Sequence, residues 1–407
     1  MILPQNARHT RTRCGCLAGV HRRLLGAALS LVFLLVADCA NARIWMVGPY
    51  PESLSIDEVS QRAQDGDTVE ILAGEYRGSV AVWAQKQLTI RGIGGRPVIR
   101  ADGRSAERKG IWVIRQGDFT IENIEFRDAR GADAVGSGIR LERGTLTVRG
   151  CVFLNNEIGL MTANTPATRL TIEDSEFGNA PTDRGGLHHL LYVGQIENFE
   201  VRGSYFHTGH VGHLLKSRAR KSTVKYNLLA DGPLGEASYE MDFPNGGDVL
   251  LVGNTVVQSR ASRNPVVIAF GAEGNTWKDS RLRLGHNTLK NEGLVPAWFL
   301  RVWRNRFTSP PQVVAINNLT IGLGIFELGT DGVFSGNANS VLESGNTVEE
   351  PYLPGDPARQ TLDPVAAAPD PDLRPDSEFS SPTGTVRLVI PQTWLPGAFQ
   401  AVAQPHP

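Results

Sequence analysis

The chain has 407 residues, with 41 Lys and Arg against 42 Asp and Glu, four cysteines and 44 glycines. That length holds one large domain or two ordinary ones. The near-even charge argues against a general nucleic-acid binder, and so few cysteines exclude a disulfide scaffold.

The first element is a leader. Arg8, Arg11, Arg13, Arg22 and Arg23 precede an apolar run of 13 residues from Leu24 to Val36. That run is short of the roughly 20 residues that cross a bilayer. Ala40-Asn41-Ala42 follows as a small-x-small cleavage site. Residues 1–42 are therefore read as a secretory signal peptide, which places the mature protein in the periplasm or outside the cell with no membrane span after cleavage. Removing it takes away Cys14, Cys16 and Cys39 and leaves Cys151 without a disulfide partner. The remainder carries 36 basic and 41 acidic residues, a net charge of −5.

Residues 54–76 (LSIDEVSQRAQDGDTVEILAGEY) open with a short amphipathic stretch and pass a DGD turn into a strand. After them one phrase keeps returning: LTIRG at 88–92, FTIENIEF at 119–126, LTVRGCVF at 146–153, LTIEDSEF at 170–177 and FEVRGSYF at 199–206, then looser copies to AINNLTI at 315–321. Aligned, the phrases share a column of small or amide residues: Ile124, Cys151, Ser175, Ser204, Asn227, Asn254, Asn287 and Asn318, at gaps of 27, 24, 29, 23, 27, 33 and 31. A fixed period of that size signals a solenoid. Alternation of period two and the abundance of β-branched residues make the repeat a strand. Stacked Asn side chains can hydrogen-bond from one coil to the next at a bend. A second strand family lies between the phrases, including GLMTAN (159–164), HHLLYVG (188–194), GHLLKSR (212–218), SYEMDFP (238–244), PVVIAFG (265–271) and AWFLRVW (297–303).

The expected fold is all-β, a right-handed parallel β-helix over residues 43–347 with an N-terminal cap, because the first coil would otherwise leave an open edge and core. Residues 348–407 read as a Pro-rich connector and a C-terminal capping segment. The stretch at 54–76 and the closing phrases DLRPDSEFSSP (372–382) and LPGAFQ (395–400) resemble the pectate-lyase-like superfamily.

Five of the seven mature histidines fall between His188 and His213. Three coils superpose there at offsets of 24 and 26 residues: His189 to Val193, His213 to Ser217 and Tyr239 to Phe243. Alternation turns Leu191, Leu215, Met241 and Ile268 inward and Tyr192, Lys216 and Asp242 outward, with Glu240, Arg218 and His188 nearby. Adjacent coils bring such groups to about 5 Å at the backbone.

This set suits β-elimination on an acidic sugar, in which a base removes the proton beside a carboxylate and cations stabilise the resulting charge. Lys216 is assigned as base, Tyr192 as base or acid and Arg218 as the carboxylate-neutralising group, with His188 or His213 assisting. Asp242, Glu240, Tyr239, Asn245 and Arg301 are assigned to substrate binding. Trp277, Trp298 and Trp303, with Arg301, Arg304 and Arg306, offer a sugar-stacking or polyanion-binding wall.

At Lys216-Ser217 and Met241-Asp242-Phe243 the chain resembles the chondroitinase B and alginate lyase family of β-helix enzymes. The resemblance implies a lysine base and an arginine after the second phrase, where this chain has Pro244. It also implies acidic calcium ligands ahead of the lysine, where this chain has His210 and His213. The expected function is that of a polysaccharide lyase acting on an anionic polysaccharide. The alternatives are a non-catalytic carbohydrate-binding or envelope β-helix protein, and a glycoside hydrolase using Glu240 and Asp242 with Asp231 or Glu236. No cofactor is required by the sequence and calcium stays open; nucleic acid is not an expected partner, and the sequence is silent on oligomeric state.

The bland readings stand beside these. A Tyr-Lys-Asp column is also what simple cross-strand pairing produces, worth about 0.2–1 kcal/mol per pair. His207, His210 and His213 have metal-ligating atoms, but strand alternation sets His210 opposite the other two.

Overall fold

The computed structural model describes residues 42–183, 185–274, 276–340 and 362–400. The leader at 1–41 and the connector at 348–361 lie outside the described residues, so the signal-peptide reading has no structural counterpart here. Among the described residues no helix is long and apolar enough to cross a membrane.

Each returning phrase supplies a strand, a sharp corner and a shorter strand. Asp118–Glu122 is followed by Glu125–Arg127, and then by Ser137–Leu141 on a third side. The next coil repeats the order with Thr145–Arg149, Val152–Leu154 and Ile158–Thr162. The coil strands pair in parallel with their equivalents in the neighbouring coils. Among the described residues the result is a first sheet of 12 strands, a second of 11 and a third of 10. The chain is a right-handed parallel β-helix, the hand that parallel crossover connections almost always take. Stacking in register puts like residues in columns. On the first sheet Leu88, Phe119, Leu146 and Leu170 are level and all point into the core. Inside, Phe126, Phe153, Phe177 and Phe206 stack at 5.3, 4.6 and 4.9 Å between centroids.

The corner after the first sheet explains the predicted column of small and amide residues. The residue before it takes a left-handed backbone, as at Gly150 (φ 56°) and Gly203 (φ 60°), which glycine adopts without strain. The column residue then reaches along the stack. The Nδ2 groups of Asn227, Asn254, Asn287 and Asn318 each donate to the next Oδ1, at 3.0, 2.9, 2.9 and 2.9 Å, ending on Asn337. Ser175 and Ser204 extend the line towards Cys151, whose N–H donates to Ser175 Oγ at 3.2 Å. Buried amides are thereby satisfied without water.

At the N-terminal end, Ile56–Arg62 is a helix capped by Ser55 and Glu58, and it buries Ile56 and Val59 in the core. The described part of the C-terminal segment departs from expectation. It lies along the flank of the coils rather than over their end. Ala366 O accepts from Asn317 Nδ2 at 2.9 Å, Asp376 meets the Tyr226 hydroxyl at 2.9 Å, and Gly384 N donates to Gly203 O at 2.7 Å. The cause is chemical: beneath it the outward residues of the first sheet are Leu250, Val252, Val314 and Ile316, which pack with Ala368 and Leu373. The same segment secures Tyr226 and His286, which hold left-handed backbone at φ 56° and 52° without being glycine. His286 Nδ1 donates to Leu395 O at 3.1 Å.

Candidate functional site

The third sheet carries the site on its outer face. Its strands Leu191–Val193, His213–Ser217, Tyr239–Phe243, Val266–Phe270 and Ala297–Val302 are in register. Leu191, Leu215, Met241, Ile268 and Leu300 form the inward column, all fully buried. Tyr192, Lys216, Asp242, Ala269 and Arg301 form the outward one. The predicted juxtaposition of Tyr192, Lys216 and Asp242 is therefore present, but not as an exposed stripe: Lys216 is 6% exposed and Asp242 1%.

What covers them is the segment after Phe270. Glu273 N donates to Pro244 O at 2.9 Å and Thr276 N to Asn245 O at 3.0 Å, which fixes that turn over the column. Glu273 then forks between two cations. Lys216 Nζ donates to its Oε1 at 2.9 Å, and Arg218 Nη1 donates to its Oε2. Lys216 Nζ also lies 3.2 Å from Asp242 Oδ2. Arg218 is spread over three partners: Nε donates to the Tyr192 hydroxyl at 3.0 Å and Nη1 to Asn245 Oδ1 at 2.6 Å, besides Glu273. Its own carbonyl accepts from Trp277 Nε1 at 3.1 Å.

Behind this fork sits a run of rings. His189 lies 5.4 Å from Tyr192 and 4.7 Å from His213, and His213 stacks on Tyr239 at 4.8 Å. Both imidazoles are held neutral. Burial, followed by the Lys216 and Arg218 charges, pushes His189 down to about 3; burial and its His189 neighbour take His213 well below the usual range. His189 Nδ1 accepts from His213 N at 3.0 Å. His213 Nε2 faces Asp242 Oδ2 at 3.3 Å. Burial pushes the Asp242 carboxyl up to about 6, against the pull of Lys216, and its Oδ1 has no hydrogen-bond partner among the described residues. Glu273, half-exposed, moves the other way: its bonds to Arg218 and Lys216 outweigh burial and hold it below the usual carboxylate range.

Of the residues singled out in the sequence, Tyr192, Lys216, Arg218, His213, Asp242, Tyr239 and Asn245 come together. Glu240 does not. It is fully buried on the inner side, level with Leu214 and Val267, where Gln258 Nε2 donates to its Oε2 at 3.2 Å. In these strands two successive residues (Leu214 and Leu215, Val267 and Ile268) both join the core, so the period of two fails. Burial and nearby Asp231 push the Glu240 carboxyl well up. A hydrolase pair of Glu240 and Asp242 on one outer face is therefore absent. Asp231 is bound to Gly209 N and Ala237 N, at 2.6 and 2.9 Å, and Glu236 pairs with His210 and Arg263.

His188 is also displaced from its assigned place. It is fully buried and bridges to His210 by backbone, with the two rings 6.5 Å apart. The histidine trio disperses onto separate acids: His207 to Glu176, His210 to Glu236 and His213 to Asp242. Trp277 leaves the proposed aromatic wall to bind the Arg218 backbone, whereas Trp298, Arg301 and Trp303 stay together two coils beyond Asp242.

Sequence reasoning missed Glu273. It comes from a loop two coils on from Lys216, where no alternation assigns a face. His189 is buried and hydrogen-bonded to the His213 backbone, and its ring also lies against Tyr192.

No protein-family model matches this chain, and no curated protein does. Among solved structures, pectate lyase Pel9A is similar at a TM-score of 0.55 with 12% identity, over 88% of this chain and 96% of that one. A PL6 family alginate lyase, AlyGC, aligns at a TM-score of 0.33 with 14% identity, over 75% of this chain and 52% of that one. The first likeness, spanning nearly the whole of Pel9A, shows a shared fold: this chain and that one are both right-handed parallel β-helices.

Proposed function

We propose that the protein is a secreted polysaccharide lyase that cleaves an anionic, uronate-bearing polysaccharide by β-elimination. The observation that carries this reading is the fork itself: two cations, Lys216 and Arg218, converge on one carboxylate, Glu273, beside the Tyr192 hydroxyl. Glu273 stands where the carboxylate of a bound uronate would sit. A substrate carboxylate that displaces it gains both cations, and they act where charge develops when the neighbouring proton leaves. Arg218 suits a planar, two-point grip on that group.

We redistribute the roles within this set. Lys216 Nζ donates to Glu273 Oε1 and lies 3.2 Å from Asp242 Oδ2, so we assign it as a charge-neutralising group rather than the base. Proton transfer passes to Tyr192, which is more exposed than Lys216 and Asp242 and is aligned by Arg218. Acting as the phenolate, with Arg218 Nε donating to its oxygen, Tyr192 takes the proton beside the carboxylate to become the phenol and then gives that proton to the departing glycosidic oxygen as the C–O bond breaks, leaving a carbon–carbon double bond. His213 and Asp242 lie behind Lys216 and position it.

Calcium does not fit this donor set. The two carboxylates at the site are engaged by Lys216, Arg218 and His213, so an ion would have to displace the cations that already neutralise them. No step is drawn through it. The leader at 1–42 supports export to the periplasm or beyond.

The test is incubation of the mature protein with polygalacturonate, alginate and glycosaminoglycans, reading the ultraviolet band of the unsaturated uronate. Tyr192→Phe should lose that product while melting as the wild type does. Release of reducing ends without the band would turn the reading to hydrolysis, and affinity without any product would turn it to a binding protein.

A further inference from the structure

Arg301 is left over by the fork. It shares the outward column with Lys216 and Asp242, two coils beyond Asp242 through Ala269. Its guanidinium lies over the rings of Trp303, at 4.8 Å, and Trp298, at 5.4 Å. Outward arginines elsewhere on the coils are matched to acids, as on the first sheet Arg91 is to Glu70 and Arg149 to Glu122 and Glu173, and on the third Arg218 is to Glu273. Among the described residues no carboxylate pairs with Arg301, although it is exposed. An exposed guanidinium held against two indoles and given no anion keeps its fork of donors free in a fixed plane.

This group is continuous with the candidate site. Trp303 lies 6.4 Å from Tyr239, whose ring stacks on His213, and the line continues through His189 to Tyr192. The rings thus climb the outer face from the coil of Tyr192 to that of Trp303. At about 4.8 Å per coil, Arg301 stands roughly 19 Å from Tyr192 along the solenoid axis.

We propose that Trp298, Arg301 and Trp303 form a distal subsite for a further acidic sugar unit of the same polysaccharide whose cleaved unit enters the Lys216–Arg218 fork. The chain then runs along the solenoid axis, across the strands. Indole faces stack on the sugar ring, and the guanidinium takes its carboxylate at two points. This rests on the reading of the fork as a uronate site. It adds that affinity must depend on chain length, because a short oligomer seated in the fork cannot span to Arg301.

The test measures binding, so it does not depend on turnover. Size-graded oligomers of polygalacturonate and of alginate are titrated against wild type, Arg301→Ala, Arg301→Lys and Trp298→Ala by affinity electrophoresis, with melting curves to establish that each variant is folded. Arg301→Ala should weaken the longest oligomers about tenfold, the scale of one lost charged contact, and leave the shortest unchanged. Trp298→Ala should show the same length dependence, and Arg301→Lys a partial loss. An equal effect at all lengths, no effect, or no binding of either polymer by the wild type overturns the subsite. Length-dependent loss in a protein that forms no unsaturated product upholds the subsite and sinks the lyase reading. Turnover that is indifferent to Arg301 and Trp298 does the reverse.

Discussion

Along the first sheet the outward register runs Glu70, Arg91, Glu122, Arg149, Glu173, Arg202; along the third it runs Tyr192, Lys216, Asp242. The same stacking generates both, and both are ladders of opposite charge. The first is solvated: the side chains of Arg91, Arg149 and Arg202 are 45, 50 and 54% exposed. The second is covered: those of Lys216 and Asp242 are 7 and 2% exposed. Water screens the first into modest pairings, whereas burial of the second raises Asp242 to about 6 and holds two histidines neutral. The difference lies in what is laid over the sheet, since the repeat itself builds the same outward columns in both.

That contrast can be broken at several points. Among substitutions that keep the charge, the largest effect is expected at Arg218→Lys. An ammonium keeps the charge but cannot hold Tyr192, Asn245 and Glu273 in one plane. Steady-state kinetics should show kcat falling roughly 100-fold, the scale set by removing one preorganised donor. A lysine variant with wild-type kcat would mean the fork needs only charge.

A middle-sized effect belongs to Asp242→Asn, read as melting temperature against pH. The wild-type carboxyl is raised from 3.8 to about 6 in the folded protein. Its contribution to stability is therefore fully present below about 4 and lost as pH rises through about 6. The asparagine variant lacks that loss, so its melting temperature relative to wild type should climb between pH 4 and pH 7. An offset that stays constant with pH would show that Asp242 is not buried as described. The smallest effect is expected from Arg149→Ala on the exposed ladder. It should cost under about 1 kcal/mol, shrink further in salt, and leave activity untouched.

Much of this is legible in the sequence. The Asn227-to-Asn318 column could be read because a coil has nearly constant length, and the 24- and 26-residue offsets placed Tyr192, Lys216 and Asp242 side by side for the same reason. Three features escaped. Glu240 was misplaced because its strand buries successive residues, so alternation does not assign its face. Glu273 was invisible because a loop residue carries no period. The flanking C-terminal segment left only half a signal: Asp248–Val252 (DVLLV) loses the apolar-polar alternation kept by Arg169–Glu173 (RLTIE), which says that the outer face is covered without saying by what.

The most direct test of the central claim, that the covered column is a working site and not another ladder, is Lys216→Ala assayed for unsaturated product beside Arg149→Ala on the same polyuronate. The buried position should lose at least about 100-fold while the exposed one keeps wild-type turnover. A Lys216→Ala protein that is folded and fully active would contradict the account.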